Sequence, residues 1–267
     1  MSSFADAPGY RDSHTGPAGA GQYDGHAPAA LALRWSVPAV HAFDSVGSTL
    51  DIAHALAPTA SSGTVIIADE QTAGRGRLGR RWASAPGRGV WLTIVERPTD
   101  TRALDVLALR CGLLAAEALD EFAPAQIGVK WPNDLQVLGR KLAGILIETR
   151  WRGTTPEWVA IGFGLNVAAP QVEGAAGLRE GTTRLEALDR VVPALRCAAR
   201  ASRHLTNDEM ARWQARDVAT GRQATSPAAG VVRGISLSGE LLIDDPRGGT
   251  SAHRSGSLTF ATPPTCS

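Results

Sequence analysis

Lys130 and Lys141 are the only lysines among the 27 basic residues of this 267-residue chain; all the others are arginine. Asparagine is nearly as scarce, with Asn133, Asn166 and Asn207 the full set. Both lysines and two of the three asparagines therefore fall between residues 130 and 166. Codon bias toward arginine explains general depletion but not which positions escape it. A lysine supplies a compact ammonium that a planar guanidinium does not imitate. The local sequence is Lys130-Trp-Pro-Asn-Asp134, followed by Gly139-Arg-Lys-Leu-Ala-Gly-Ile-Leu-Ile-Glu148. The apolar run Leu142 to Ile147 belongs in a core, so Lys141 stands at the edge of a dry site, where its charge acts more strongly than in water. Asn133 and Asp134 are suited to positioning a Mg²⁺–nucleotide. A lysine snorkelling from a strand end is the blander reading; two lysines in such local sequence favour a site.

A second segment, Gln71-Thr-Ala-Gly-Arg-Gly-Arg-Leu-Gly-Arg-Arg-Trp82, has chemistry of its own. No acidic residue lies from Gln71 through Val95, while Arg75, Arg77, Arg80, Arg81 and Arg88 do. Gly74, Gly76 and Gly79 let backbone approach a ligand and offer unhindered N–H donors, and the arginines suit carboxylate and phosphate oxygens. A solvated basic loop remains open. A P-loop is excluded, because no Gly-Lys-Ser/Thr ending is present, and a single-stranded nucleic-acid clamp lacks interleaved aromatics beyond Trp82. A third segment, Gly162-Phe-Gly-Leu-Asn-Val167, reads as a turn after a strand and either lines a nucleotide pocket or forms a bulge.

The elements that position these segments follow from periodicity. Residues 1–30 are rich in Ala, Gly, Ser, Pro and Asp without apolar periodicity and are expected to be a disordered tail. Val40 to Phe43 reads as a strand, Ser48 or Thr49 as a helix cap, and Thr64 to Ala68 and Gly89 to Val95 as strands. Thr101 is expected to cap a long helix ending near Pro124. Ile127 to Trp131, Asp134 to Leu138 and Leu142 to Glu148 are strand-like, with Lys130 and Lys141 expected on neighbouring strands of a hairpin. Trp158 to Ile161 adds a strand, and helices are expected over 184–204 and 207–216. Beyond Asp217 short alternating runs predict a small β-barrel.

Composition excludes several classes. A formal net charge of +1 leaves no footprint for DNA or an anionic membrane. Cys111, Cys197 and Cys266 are odd in number and far apart, which opposes a disulfide framework and suits a reducing compartment. The six histidines are scattered without ligand spacing, so no metal site is expected. No signal peptide or membrane span is read, and a cytoplasmic protein is expected.

Taken in order and spacing, Ser48-Thr49, the Gln71 to Trp82 loop, Lys130 to Asp134, Arg140 to Gly144 and Gly162 to Val167 resemble the biotin–protein ligase family, over roughly residues 40 to 260. The resemblance implies a mixed α/β (α+β) fold: a catalytic domain over 31–216 like that of class II aminoacyl-tRNA synthetases, then an SH3-like β-barrel over 217–267. It implies ATP-dependent formation of biotinyl-5'-AMP and transfer of biotin to a lysine of a biotin carboxyl carrier protein, an acetyl-CoA carboxylase subunit or similar. ATP and Mg²⁺ are the implied cofactors and biotin the substrate. By resemblance, Ser48, Thr49 and Gln71 hold the ureido end of biotin, and Arg75, Gly76 and Arg77 fold over its carboxylate and the phosphates. Trp82 closes the loop. Lys141 bridges carboxylate and α-phosphate as the main catalytic residue, with Arg77 beside it. Lys130, Asn133, Asp134 and Asn166, with Trp82, serve ATP and Mg²⁺. Longer members carry an N-terminal DNA-binding domain; residues 1–30 are too short for one, so the short form is expected, without DNA as a partner. Leu50 stands where many members have Asn. No Arg-Arg-x-Ser-Gly-Gly-Gly segment of the lipoate ligases is present. The resemblance leaves a homodimer open.

Overall fold

In the computed structural model, which describes residues 21–261 except residue 99, side-chain alternation sorts the strands into two faces. The strands are β1 (Val40–Val46), β2 (Thr64–Gln71), β3 (Gly89–Glu96), β4 (Gly128–Lys130), β5 (Asp134–Val137), β6 (Arg140–Arg152) and β7 (Thr155–Asn166). They form one mixed sheet in the order β1-β2-β3-β7-β6-β5-β4. β1 and β2 run parallel, and the other neighbours are antiparallel. Along β7, Val159, Ile161, Phe163 and Leu165 point into the main core, whereas Trp158 and Ala160 join a smaller cluster on the opposite face. The period of two then puts Gly162, Gly164 and Asn166 on that second face as well.

The main core lies beneath α1 (Pro28–Trp35), α3 (Leu107–Leu119), α4 (Arg184–Arg200) and α5 (Asn207–Gln214). The second face carries α2 (Thr49–Leu56), whose Leu50 and Ala53 pack on Ile66, Val95 and Ala160. Several expectations are corrected. The helix expected from Thr101 opens as a 3₁₀ turn over Thr101–Val106, and its cap is Asp100, whose carboxylate accepts from the Arg102 N–H. Gly162 to Asn166 is strand, not turn, because β7 is central and paired with both β3 and β6. Lys130 and Lys141 are not on neighbouring strands; β5 lies between β4 and β6. Strand β6 is also longer than expected, reaching Arg152.

The C-terminal region is a five-stranded antiparallel sheet of β8 (Gln223–Ser226), β9 (Gly230–Ile235), β10 (Leu241–Asp244), β11 (Thr250–His253) and β12 (Thr259–Phe260), ordered β11-β10-β9-β8-β12. Val232, Leu241, Ile243 and Leu258 join the main apolar cluster, and the Trp131 indole N–H donates to the Gly239 carbonyl at 3.1 Å. Just before this sheet the chain adds itself to the edge of β4: Val129 N–H donates to Arg216 at 2.9 Å and Val218 N–H donates back to Val129 at 3.1 Å. That edge is therefore not left open.

Of the expected 1–30 tail, residues 1–20 lie outside the described residues, while 21–30, mostly exposed, are anchored to the fold through Tyr23 and Asp24. Tyr23 is 1% exposed and stacks against the Arg184 guanidinium, 4.4 Å from ring centroid. Arg184 also pairs with Asp24 and Asp69. The small-residue composition hid these anchors. Tyr23→Ala is expected to lower stability by about 3 kcal/mol through the cavity it leaves, measured from the urea midpoint; a midpoint equal to the parent's would mean that the Tyr23 ring does not anchor the fold.

Candidate active site

On its second face the sheet carries a cleft of about 450 Å³. Its floor is set by an irregularity in the β5–β6 ladder. Leu135 pairs with Ala143 but Gln136 pairs with Lys141, leaving Leu142 as an extra residue on β6. Such a bulge reverses the parity of side chains on its two sides. Gly144, at an even position, faces the cleft; without the bulge Lys141 would point into the core and Leu142 into the cleft. With it, Leu142 is fully buried in the core and Lys141 lines the cleft. The loop before α4 steadies the bulged residue. Lys141 N–H donates to the Gly174 carbonyl at 2.7 Å, Ala176 N–H donates to the Lys141 carbonyl at 2.8 Å, and the Asn166 amide reaches the same carbonyl at 3.4 Å.

Residues 71–84 form the cleft's cover. They fold as a β-hairpin-like flap, with Gln71 N–H donating to Ser84, Trp82 N–H to Gly74 and Gly76 N–H to Arg80. The reversal at Leu78 and Gly79 has φ of 57° and 73°, the positive values that favour glycine at the second position. Trp82 lies across the floor. Cβ atoms on Gly164 and Gly144 would come within 2.7 Å and 3.1 Å of its indole, so those two glycines make its seat. The Lys141 ammonium is 5.1 Å from the Trp82 ring centroid and 2.7 Å from Asp134 Oδ1.

All twelve residues singled out in the sequence line this cleft: Ser48, Thr49, Gln71, Arg75, Gly76, Arg77, Trp82, Lys130, Asn133, Asp134, Lys141 and Asn166. At one end, Gln71 Oε1 accepts from the Thr49 N–H at 2.9 Å and hydroxyl at 3.1 Å, and Thr93 donates to Thr49 Oγ1 at 2.9 Å. The Ser48 hydroxyl and the Trp82 indole N–H are buried without a partner. Two orphaned donors in one cleft are a cost to the folded chain unless a ligand meets them. Near the other end, Asn133 is tied to β6 through the Ile145 carbonyl at 2.7 Å, and Arg77 donates to Asn133 Oδ1 at 3.3 Å and to the Gly256 carbonyl at 3.1 Å. Arg75 departs from expectation. It borders the cleft, but its guanidinium is engaged by Asp51 and Glu148, two carboxylates that reach it first.

Charge in the cleft is lopsided. Arg75, Arg77, Arg80, Arg81, Lys130 and Lys141 line it, against the carboxylates of Asp134 and Glu173. Burial, and then the neighbouring Arg222, Lys141 and Arg80, hold the Lys130 ammonium below the usual lysine range, with Asp134 opposing. Arg77 is likewise lowered by burial and by Arg80. A cleft whose cations crowd one another favours an anion. Among the described residues no group of three His, Cys, Asp or Glu side chains converges to hold a metal.

The sequence did not single out several contributors. Thr93, which supports Thr49, is the one hydroxyl in an apolar strand, a usable signal; Pro170, Val172 to Ala175 and Ser257 to Thr259, which line the cleft, carry none.

This architecture is that of the Biotin/lipoate A/B protein ligase family, which matches residues 42–166. A biotin–[acetyl-CoA-carboxylase] ligase of Paracoccus denitrificans is 31% identical over 215 residues, 72% of this chain and 89% of that protein. A bifunctional ligase/repressor of Bacillus subtilis (strain 168) is 40% identical over 126 residues, 46% of this chain, and the match spans only 39% of that protein. The solved biotin protein ligase of Aquifex aeolicus in complex with biotin and ATP superposes with a TM-score of 0.66 at 27% identity, covering 83% of this chain and 99% of the other. The chain belongs to the biotin protein ligase family.

Gly164→Ala should disfavour the seated position of Trp82 by about 1–3 kcal/mol, as small-to-large changes in a packed site do. Hydrogen exchange of the Gly76 and Trp82 amides is expected to quicken while the core strands stay protected; unchanged flap exchange would show that the flap does not depend on this seat.

Proposed function

We propose that this chain joins biotin to AMP and then passes biotin to a carrier protein. The biotin carboxylate oxygen attacks the α-phosphorus of ATP, the bond to the β-phosphate breaks, and pyrophosphate leaves with biotinyl-5'-AMP formed. The ε-amine of a carrier lysine then attacks the acyl carbon, an amide forms, AMP departs and the amine loses a proton. Negative charge gathers on oxygens in both steps, so the protein's task is to position and to stabilise electrostatically.

The observation that carries this reading is the Lys141 ammonium on the cleft floor, held by Asp134 and covered by Trp82 of an arginine-bearing flap. Lys141 has the reach and charge to meet carboxylate and α-phosphate oxygens together, and Arg77 would share the phosphate charge. Ser48, Thr49 and Gln71 supply hydroxyl and amide groups for the ureido ring, the unpartnered Ser48 hydroxyl among them. Lys130, Asn133 and Asp134 would serve the nucleotide, and Asn166 acts on it through the Lys141 backbone. Mg²⁺ would arrive with the nucleotide and neutralise phosphate charge. Asp134 already engages Lys141, and Asn133 Oδ1 already accepts from Arg77, so most of the ion's ligands would be phosphate oxygens and water. A closed flap would keep water from the mixed anhydride.

The carrier we propose is a biotin carboxyl carrier protein, in line with the acetyl-CoA carboxylase in the name of the Paracoccus relative, and the compartment the cytoplasm. Among the described residues no helix is long and apolar enough to cross a membrane.

The test is mass spectrometry of a carrier domain incubated with the chain, ATP, Mg²⁺ and biotin or lipoate. Addition of biotin alone is expected; addition of lipoate alone, or of neither, would refute the reading. Lys141→Ala should lose on the order of 10²-fold in biotin-dependent pyrophosphate release, the size of a lost oxyanion donor, while staying folded; near-normal turnover would remove Lys141 from the chemistry.

A further inference from the structure

Arg75, the first arginine of the flap, does not turn toward the floor lysine. Its Nη1 donates to Asp51 Oδ1 at 2.5 Å, and its Nη2 lies 3.4 Å from both oxygens of Glu148. Asp51 sits in the first turn of α2, two residues after Thr49. Glu148 lies on β6, four residues after Gly144. Neither carboxylate lines the cleft, so neither is placed to touch a ligand there.

Glu148 is itself braced. The Trp158 indole N–H donates to His54 Nδ1 at 3.0 Å, which leaves His54 Nε2 to donate to Glu148 Oε2 at 2.8 Å. Trp158 is buried, so the chain of contacts runs from the apolar cluster under α2 out to the flap. His54, and then Arg75, hold the Glu148 carboxyl below the usual glutamate range, against the effect of burial. The flap can transmit what happens at Arg75. Its cross-strand bonds, Trp82 N–H to Gly74 and Gly76 N–H to Arg80, flank that residue, so the hairpin moves as one piece and fixing Arg75 helps to seat Trp82.

We propose that Asp51 and Glu148 are positioning residues that latch the flap through Arg75, with His54 and Trp158 bracing Glu148. What the latched flap encloses rests on the ligase reading; the latch itself does not. Its grip is modest, since the ion pairs are partly exposed. That suits a cover that has to open on each turnover.

The experiment is limited trypsin digestion of the full chain without ligand, with cleavage after Arg77 and Arg80 resolved by mass spectrometry. Cleavage there tracks the population of open flap, and sites outside the flap report global unfolding. Asp51→Asn and Glu148→Gln should each quicken flap cleavage by roughly three- to fivefold, the scale of a partly exposed ion pair. In an Arg75→Met background neither should add anything, because the partner is gone. Parental cleavage rates in both single variants, or equal acceleration in the Arg75→Met background, would overturn the latch. In a second arm, labelled biotinyl-adenylate formed on the protein should be lost faster from both variants. If flap cleavage quickens as expected while the parent forms no adenylate, the latch holds and the ligase reading falls.

Discussion

The β-bulge at Leu142 is the constraint on which the cleft depends. One additional residue in β6 decides which of two adjacent side chains, a lysine or a leucine, enters a core and which enters the cleft. Burying Leu142 removes apolar surface from water; burying an unpaired ammonium in its place would be far costlier. The bulge therefore stabilises the sheet and aims Lys141 by a single device. Lys141 stays paired with Gln136 on β5, and it lies just before Ala143, the first β6 residue paired with β7, so on that side the loop before α4 bonds to its backbone groups. Asn166 on β7 adds a third tie. Two bonds to that loop and one to β7 thus hold the backbone under the lysine, and the side chain needs only its Asp134 partner to be aimed.

Above this floor the fold uses two glycine positions to admit an indole. Gly144 and Gly164 sit on adjacent strands, directly paired, and only the lack of Cβ atoms lets Trp82 descend between them. Strand glycines usually weaken a sheet. Here β7 has partners on both sides, and the alternate residues Ile161, Phe163 and Leu165 remain fully committed to the core. The strand can spare one face. Trp82 also meets Trp91 edge-on at 6.5 Å between centroids, so the flap rests on aromatic packing as well as on arginine contacts. The C-terminal sheet completes the enclosure by offering the Gly256 carbonyl to Arg77 and the Ser257 hydroxyl to Arg80.

The chemistry was more legible in the sequence than the geometry. Scarcity of lysine and asparagine marked Lys130, Asn133, Lys141 and Asn166 against an arginine-rich background, and the acid-free stretch marked the flap. Their convergence in one cleft follows from sheet order, which local pattern does not state: β6 and β7 are consecutive, but β3 enters between β2 and β7. The bulge carried no residue-type signal, since Leu142 to Ile147 reads as uniformly apolar apart from Gly144. Glycine commonly ends a strand, so Gly162 and Gly164 look like punctuation in the sequence, whereas here they thin a strand. The family resemblance groups Arg75 with Arg77. Which side of the flap each arginine faces depends on the hairpin's own pairing and on Asp51 and Glu148, the latter 73 residues distant in sequence from Arg75. The 21–30 segment was lost to composition, because one tyrosine among small residues gives no periodicity.

The scarcity of lysine also has a structural reading at the two places where it persists. Lys141 Nζ lies against Asp134, beside the Trp82 ring, and within 3.5 Å of where a Gly144 Cβ would stand. A guanidinium is planar and several atoms wide, and in that gap it would have to displace either the indole or the carboxylate. Lys130 Nζ is 5.1 Å from the Phe260 centroid, while the Arg222 guanidinium already lies 3.5 Å from that same ring centroid. A second flat cation would compete with Arg222 for the ring, whereas an ammonium needs only a point of contact. The arginines occupy the opposite kind of position. Arg75, Arg77 and Arg80 each reach from the flap to oxygens on other elements, a task for long side chains with several donors. Lysine is thus retained where space is tight beneath the cover and arginine is used where the cover must be tied down, a division that the shape of the cleft itself imposes.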